Sequence, residues 1–184
     1  MEVDRRLEAG DVIELARHQF TVDDRGGHSP TDTIFVDEQA RVAFVGDHLI
    51  ADISSNPVIH RPPDRVADPR RRSSALITYL ESLRRTTELD VDQLMLGHGE
   101  PIFRYRELIA ERVELHRSRK ERIYDELRAG PQTGHELAST LWGVIAVQQA
   151  FLTLSEVLGH VDLLEAEGRV CEQDRGGLIE FVTV

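Results

Sequence analysis

Apolar residues in the first hundred positions fall into short runs that are typical of β-strands. Five such runs predict strands, at GDVIEL (residues 10–15), around Gln19–Val22, at Thr33–Val36, at Val42–Val45 and at Gln93–Leu96. The third and fourth runs are separated by DEQAR, which indicates a hairpin. One helix is predicted before the last strand, because a helical apolar stripe follows Ser73 or Ser74, either of which can cap it. The members of that stripe are Leu76, Tyr79, Leu80 and Leu83.

Helical spacing dominates the second half of the chain. A long helix is predicted from Leu108 to Leu127, a short one over HELASTLW after Thr133, and a third along a stripe from Val147 to Leu164. The final segment, RVCEQDRGGLIEFVTV, predicts two strands joined by a turn at Gly176-Gly177. Three helices followed by a hairpin is the element order of a winged-helix domain. We therefore predict two domains, over residues 1–115 and 116–184.

The composition is that of a globular protein and excludes several classes. The chain has 184 residues, 22 Lys and Arg against 33 Asp and Glu, and a net charge of −11. No apolar run approaches the roughly 18 residues of a membrane span, and the first fifteen residues lack the apolar core of a signal peptide. These features predict a cytoplasmic protein. A single cysteine, Cys171, excludes an internal disulfide framework, and we expect it to be a buried, inert thiol.

Three polar residues stand beside glycines, two of them directly after predicted strands. They are His28 in GGHS, Asp47 in VGDH and His98 in LGHG. Ligands gather beyond the carboxyl ends of strands in α/β folds, and glycine lets the backbone approach an ion closely. Two imidazoles and a carboxylate suit Zn²⁺ and similar ions. The alternative is that the glycines serve turns and the histidines make local hydrogen bonds.

The segments GGHSPTDTIFV, VAFVGDHLI and LMLGHGEPI, in this order, resemble the second half of the metallo-β-lactamase-fold hydrolases. The helical tail resembles the winged-helix-like C-terminal domain of one branch of that superfamily. The resemblance implies an α/β fold, a partial metallo-β-lactamase αββα sandwich followed by a small winged-helix-like α+β domain. Residues 1–115 then correspond to the C-terminal half of the catalytic domain.

The resemblance also implies roles for the three residues. His28 matches the histidine that completes the ligand set of the first metal, Asp47 the carboxylate that bridges two metals, and His98 the last histidine on the second metal. The implied cofactor is zinc, as one or two divalent ions. The implied reaction is hydrolysis of an ester, thioester, amide or phosphodiester bond by a metal-bound hydroxide.

The chain departs from the family in one respect that bears on activity. The motif HxHxDH, which supplies four metal ligands in the family's first half, does not occur in these 184 residues. Three explanations stay open: a truncated product, a partner chain that supplies the missing half, or a degenerate relative kept as a non-catalytic scaffold. We expect weak or no activity from the chain alone. An uncovered apolar sheet face should also make the chain associate, either with further copies of itself as a homo-oligomer or with the missing N-terminal half.

A winged-helix binding module is the competing hypothesis, and charge argues against DNA as its partner. Residues 132–168 contain no Lys or Arg, although they carry five acidic residues. A phosphate backbone would be repelled by that surface. Packing against the catalytic half is the role we expect for this tail.

The remaining polar and aromatic residues carry two interpretations each. His48 is either a substrate or supporting contact or a neighbour without a metal role, and His60 is expected to be a solvated loop residue. The arginines of residues 70–72 and 84–85 form either a phosphate-binding patch or a solvated helix flank. Trp142 and Phe151 are expected in the core. We expect three further histidines to be structural or exposed, namely His116, His135 and His160.

Overall fold

A computed structural model describes residues 3–53, 56–60 and 72–184 of the chain. The chain divides into two compact units. Unit 1 is drawn from residues 1–55 and 78–111, and unit 2 from residues 56–77 and 112–184. Unit 2 therefore takes in a segment, 56–77, that lies within the first predicted domain. Most of the proline-rich loop predicted over residues 51–69 lies outside the described residues.

Unit 1 is built on a five-stranded sheet, and all five predicted strands are present. The strands are β1 (Val12–Leu15), β2 (His18–Asp24), β3 (Thr33–Asp37), β4 (Val42–Gly46) and β5 (Gln93–Leu96), in the spatial order β1-β2-β3-β4-β5. The first four pair antiparallel as a meander, whereas β4 and β5 pair in parallel. It follows that β2, β4 and β5 run in the same direction and end at the same edge of the sheet.

Both faces of this sheet are apolar, which is typical of a sheet covered on two sides. One face is buried and consists of Ile34, Val36, Ala43, Val45 and Leu94. The other face lines an open groove with Ile13, Leu15, Phe20, Phe35 and Phe44. Cross-strand pairing places these residues on one side, since Ile13 opposes Phe20 and Phe35 opposes Phe44. In unit 1 this face remains accessible, because Leu15 and Phe44 are largely exposed.

Two predicted helices connect the units along the chain. They are α1 (Ala75–Thr87) and α2 (Tyr105–Arg128), and each begins in one unit and ends in the other. The apolar stripe predicted for α1 is confirmed in part, since Leu76, Tyr79 and Leu83 are fully buried. In the part of the chain that the structure describes, no helix combines the length and the hydropathy that a bilayer span needs.

Unit 2 contains short helices and a three-stranded sheet of order β6-β8-β7. Its further elements are β6 (Gln132–Thr133), α3 (Gly134–Trp142), α4 (Val144–Gln148), α5 (Ala150–Ala166), β7 (Val170–Arg175) and β8 (Leu178–Thr183). Helix α3 begins with a capping box in which the Thr133 side chain accepts from the Glu136 amide and Glu136 accepts from the Thr133 amide. The winged-helix interpretation of this unit stays a prediction.

The stripe predicted as one helix from Val147 to Leu164 is instead two helices. They meet at Gln149, whose φ of −123° and ψ of 42° are not helical. A helical period does not carry across such a break, because the two segments are rotated independently. Consequently Val147 and Phe151 are largely exposed, and the core position expected for Phe151 is wrong. Trp142 is partly buried and packs against the core of unit 2.

The expectation of a buried Cys171 is also wrong. Its side chain is exposed on β7, which pairs only with β8 and is therefore an edge strand. Only Val170 of this strand is buried. The alternation of the sequence there does not reveal which strand is at the edge, and so burial could not be deduced.

Candidate metal centre

Asp47 and His98 meet where two adjacent parallel strands end. Asp47 directly follows β4, and His98 is the second residue after β5. The backbone amide of Gly97 donates to the carbonyl of Gly46 at 2.8 Å, which holds the two strand ends together. The Nδ1 atom of His98 lies 2.7 Å from the Oδ1 atom of Asp47. Two of the three candidate residues therefore form a direct pair.

Two glycines make this close approach of the strand ends feasible. Gly46 has a φ of 54°, a left-handed conformation that residues with a side chain rarely adopt. At Gly97, a Cβ atom would lie 2.5 Å from the Oδ1 atom of Asp47, which is closer than nonbonded atoms approach. A side chain at position 97 would therefore displace the carboxylate. The glycines beside Asp47 and His98 serve the turn and also keep room around the carboxylate.

His28 lies in the loop that follows β2, a strand that ends at the same sheet edge as β4 and β5. The ligand atoms of His28, Asp47 and His98 do not all lie within 4.8 Å of one another, so the structure brings together Asp47 and His98 but does not bring His28 into a set with them. Gly27 presses against α1, where a Cβ atom would lie 2.5 Å from the Cα atom of Tyr79. The hydroxyl of Ser82 in α1 donates to the carbonyl of Gly26 at 2.7 Å and anchors the loop. The Nδ1 atom of His28 is buried and has no hydrogen-bond partner among the described residues. A buried ring nitrogen that has neither a hydrogen-bond partner nor a bound ion lowers the free energy of unfolding.

His48 has a different environment from its neighbour Asp47. It is fully buried, and its Nε2 atom donates to the hydroxyl of Thr86 at 2.9 Å. Burial, together with the nearby positive charge of Arg25, lowers the pKa of His48 to about 4. The ring of Tyr79 meets the imidazole edge-on, with centroids 5.8 Å apart. His48 is thus a neutral core residue that ties the end of β4 to α1, which favours the interpretation without a metal role.

The arginines suggested as a phosphate-binding patch are paired with carboxylates wherever the structure describes them. Arg72 contacts Asp162 at 2.6 Å, Arg85 contacts Asp23 at 2.6 Å, and Arg84 is paired with two glutamates of its own neighbourhood. Arg70 and Arg71 lie outside the described residues. The solvated-flank interpretation is favoured for the described arginines, because their charges are already compensated.

Two of the remaining histidines make local contacts that the sequence did not indicate. His60 is half-buried rather than solvated, and its Nδ1 atom lies 3.1 Å from the hydroxyl of Ser73. His116 is buried beside His160 and Glu156. The sequence contains one sign of this cluster, since Glu156 and His160 are four residues apart on one helical face. His116 comes from another helix and has no such sign.

No family model matches the chain. It is 34% identical over 158 residues to the probable metallo-hydrolase YqjP of Bacillus subtilis (strain 168), and the match covers 86% of this chain and 48% of that protein. Its structure superposes on the metallo-β-lactamase family protein TTHA1429 of Thermus thermophilus with a TM-score of 0.78 and 26% identity. This chain is a metallo-β-lactamase-fold protein. The β-lactamase domain protein from Burkholderia ambifaria gives a TM-score of 0.85 and 25% identity.

The chain spans about half the length of these metallo-β-lactamase relatives. The superposition on the Thermus protein includes 97% of this chain and 54% of that protein. The superposition on the Burkholderia protein includes 98% of this chain and 52% of that protein. The metallo-hydrolase family implies a divalent metal. The paired Asp47 and His98 fit one by their chemistry, because they offer the O and N donors that borderline ions prefer, and His28 offers a further N donor that does not form one close set with both of them. The unpartnered Nδ1 atom of His28 and the space kept by Gly97 agree with this fit.

Proposed function

We propose that this chain contributes His28, Asp47 and His98 to the divalent-metal site of a metallo-hydrolase, with zinc as the ion. The observation that carries the proposal is the 2.7 Å contact between His98 and Asp47 at the ends of two parallel strands. The two residues are 51 positions apart in the sequence, and the parallel pairing of β4 with β5 brings them together. The unpartnered ring nitrogen of His28 supports the third ligand, which has to move closer to Asp47 and His98 to share an ion with them.

A divalent ion at such a site supplies a Lewis acid that lowers the pKa of water and polarises the bond to be cleaved. The residues of the chain hold and orient that ion. His98 is exposed, so its ring is accessible to a ligand, whereas Asp47 is held in place by the turn at Gly46 and Gly97. The substrate we propose is an ester, thioester, amide or phosphodiester, which are the bonds that this kind of chemistry cleaves.

The chain brings only three donors, and we propose that a second layer of the family fold completes both the site and the sheet. The open face of the sheet supports this. Phe20 and Phe44 form an edge-to-face pair on it, and the described residues leave Phe44 exposed to solvent. Apolar sheet faces of this kind are normally buried by another layer. We propose the half of the fold that this chain does not span as the partner that covers it.

Hydrolysis by a reconstituted pair tests the proposed activity. The chain is mixed with the half of the Bacillus relative that it does not span, and co-elution on gel filtration establishes the complex. With Zn²⁺ present, we expect the complex to hydrolyse at least one of a set of chromogenic esters, thioesters and phosphodiesters, and the chain alone to be weakly active or inactive. Asp47→Ala should lower the rate by at least about 100-fold, because it removes a metal ligand.

Asp92→Ala is the matched control for this assay. Asp92 is an exposed carboxylate just before β5 that contacts Arg41 at 2.9 Å and is not among the proposed ligands. Its variant should keep the activity of the complex. A co-eluting complex that lacks zinc-dependent hydrolysis, or one in which Asp47→Ala is as active as Asp92→Ala, contradicts the proposal.

Self-association of the chain alone tests the uncovered sheet face. We expect sedimentation velocity to show concentration-dependent association, and Phe44→Gln to weaken it by about tenfold, which corresponds to about 1.4 kcal/mol. Phe103→Gln is the control, since Phe103 is exposed but is not part of the groove. A chain that is monomeric at all concentrations, or two variants with equal effects, would show that this face needs no cover.

The other interpretations stay predictions. A cytoplasmic location, the winged-helix likeness of the tail and a non-catalytic scaffold or binding-module role are each compatible with the fold. A salt-dependent DNA titration separates the binding module from the hydrolase, because counterion release makes DNA binding fall steeply with salt.

A further inference from the structure

A second group of metal-ligating side chains lies inside unit 2. His116 of α2 and Glu156 and His160 of α5 are all buried, with His160 completely inaccessible. One donor atom from each of the three lies within 4.8 Å of the others. Neither the family resemblance nor the proposed hydrolytic site makes use of these residues. Buried ionisable groups that converge on one point need a physical reason.

The orientation of His160 is fixed by the backbone. Its Nδ1 atom donates to the carbonyl of Glu156 at 2.7 Å. The proton is therefore on Nδ1, and the lone pair on Nε2 is left facing the Nδ1 atom of His116 at 3.3 Å. Metal-ligating histidines are oriented in this way, with the far nitrogen donating to a carbonyl or a carboxylate.

The spacing of the donors matches the coordination shell of a small ion. Two nitrogens that lie about 2.0–2.1 Å from a tetrahedral Zn²⁺ are about 3.3–3.4 Å apart. The ring nitrogens of His116 and His160 are separated by 3.3 Å without an ion. Glu156 and His160 are four residues apart in α5, so their side chains share one face of the helix. Without an ion, this contact is a hydrogen bond, and an ion bound there takes the place of the proton between the two imidazoles.

The protonation state of the two histidines also favours a cation. Burial lowers the pKa of both His116 and His160 to about 4, so both rings are neutral at pH 7, which is the state that binds metal. Glu156 supplies a negative charge, and its Oε1 atom is paired with Arg119. Positive charges also lie near the cluster, on Arg112, Arg119 and Lys120. The ion therefore has to be held by the ligands themselves and not by the net charge around them. Pairing with Arg119 orients the carboxylate in the manner of an outer-shell partner.

The surroundings of the cluster are those of a closed site. Pro57, Leu76 and Ser155 line the space beside the three residues, which leaves no room for a water molecule. Catalytic ions keep an open position for water or substrate, whereas structural ions are enclosed by protein ligands. We propose that His116, Glu156 and His160 bind a divalent ion of the zinc class, which ties α2 to α5 as a structural site of unit 2.

Zinc binding by a variant that lacks two of the three other candidate ligands tests this site. The double variant D47A/H98A removes the proposed hydrolytic site, so the result does not depend on that proposal. After exposure to Zn²⁺ at pH 7.5 and dialysis, we expect D47A/H98A to retain about one zinc ion per chain, as expected of a closed structural site. Adding Glu156→Gln and His160→Gln should lower the zinc affinity by at least about 100-fold.

His135→Gln in the D47A/H98A background is the matched control. His135 is an exposed histidine of unit 2 that lies outside the cluster, and its replacement should leave zinc retention unchanged. The Co²⁺ form of D47A/H98A provides a second measurement that needs no substitution in the core. Co²⁺ bound by two imidazoles and a carboxylate in this enclosed site should give visible absorption bands, and added Zn²⁺ should abolish them.

The outcomes separate the two sites. If D47A/H98A retains no zinc and shows no Co²⁺ bands, the proposed structural site is wrong and the proposed hydrolytic site is unaffected. Zinc retained by D47A/H98A but lost with E156Q/H160Q supports the structural site, whatever the hydrolysis assay gives. Equal zinc retention with and without E156Q/H160Q also overturns the proposal.

Discussion

The two units use the same side-chain chemistry in opposite environments. In unit 1 the imidazole of His98 is 76% exposed and its partner Asp47 is 34% exposed, at the edge of an open sheet. In unit 2 His160 is completely buried, and Glu156 is only 6% exposed. An exposed pair leaves an ion free to exchange ligands with solvent and substrate, whereas an enclosed cluster fixes it. Burial, more than residue type, therefore separates a site suited to chemistry from one suited to holding a fold.

The elements that present these residues explain the contrast. Asp47 and His98 stand just beyond strand ends, where the backbone leaves the sheet and side chains point to solvent. His116, Glu156 and His160 stand within helices that are packed in unit 2, so their side chains point into protein. The position of a residue relative to the ends of its element thus sets its exposure.

Acid is expected to destabilise the protein through the buried histidines, and this is the largest effect we predict. An unfolded histidine takes up a proton near pH 6.5, whereas folded His116 and His160 do so only near pH 4. Between these values the unfolded state binds more protons. The free energy of unfolding is therefore highest above pH 6.5 and falls as the pH decreases towards 4, by up to about 1.4 kcal/mol per pH unit for each histidine.

Urea denaturation at a series of pH values in the presence of a chelator measures this slope. His160→Gln should flatten it, and Phe103→Gln should leave it unchanged, because Phe103 is exposed and its replacement changes no titratable group. The slope that remains in His160→Gln is assigned to His116 and to His48, whose pKa is also lowered to about 4. If both variants have the slope of the unsubstituted chain, the contrast between the units is wrong.

A smaller difference is expected when one carboxylate of each unit is removed. Glu156→Ala leaves Arg119 without this partner at a mostly buried position and should lower the free energy of unfolding by about 2 kcal/mol. Asp47→Ala removes a partly exposed group and should change it by no more than about 0.5 kcal/mol. Both values are taken from denaturant curves at pH 7.5 with chelator. Equal losses for the two variants would show that exposure does not distinguish the sites.

The sequence predicted the structure best where a single residue, such as glycine, determines the local backbone geometry. The strands ahead of Asp47 and His98 follow from their apolar runs, and the glycines beside them indicated that the chain turns there. The break at Gln149 was not predictable, because no proline or glycine marks it and the apolar period continues through it. Likewise Cys171 alternates like an interior strand residue, although its strand is paired on one side only.

The cluster in unit 2 shows a second limit of sequence reasoning. Glu156 and His160 share a helical face, and this much can be deduced from their spacing. His116 lies 44 positions before His160, on another helix, and only packing brings the two rings together. The Asp47–His98 pair, in contrast, could be predicted from the sequence. Both residues stand just after predicted strands, and ligands in α/β folds gather beyond the carboxyl ends of strands.

The pairing of β4 with β5 has a consequence for how the protein acquires its proposed hydrolytic site. Strands β1 to β4 each pair with their neighbour in sequence, and such local contacts close short loops. Strand β5 joins β4 only after the whole intervening segment, including all of α1, has been brought round. A nascent meander thus holds Asp47 without His98. If the proposed site binds an ion, we expect that binding to follow the docking of β5, because both residues of the pair are then in place.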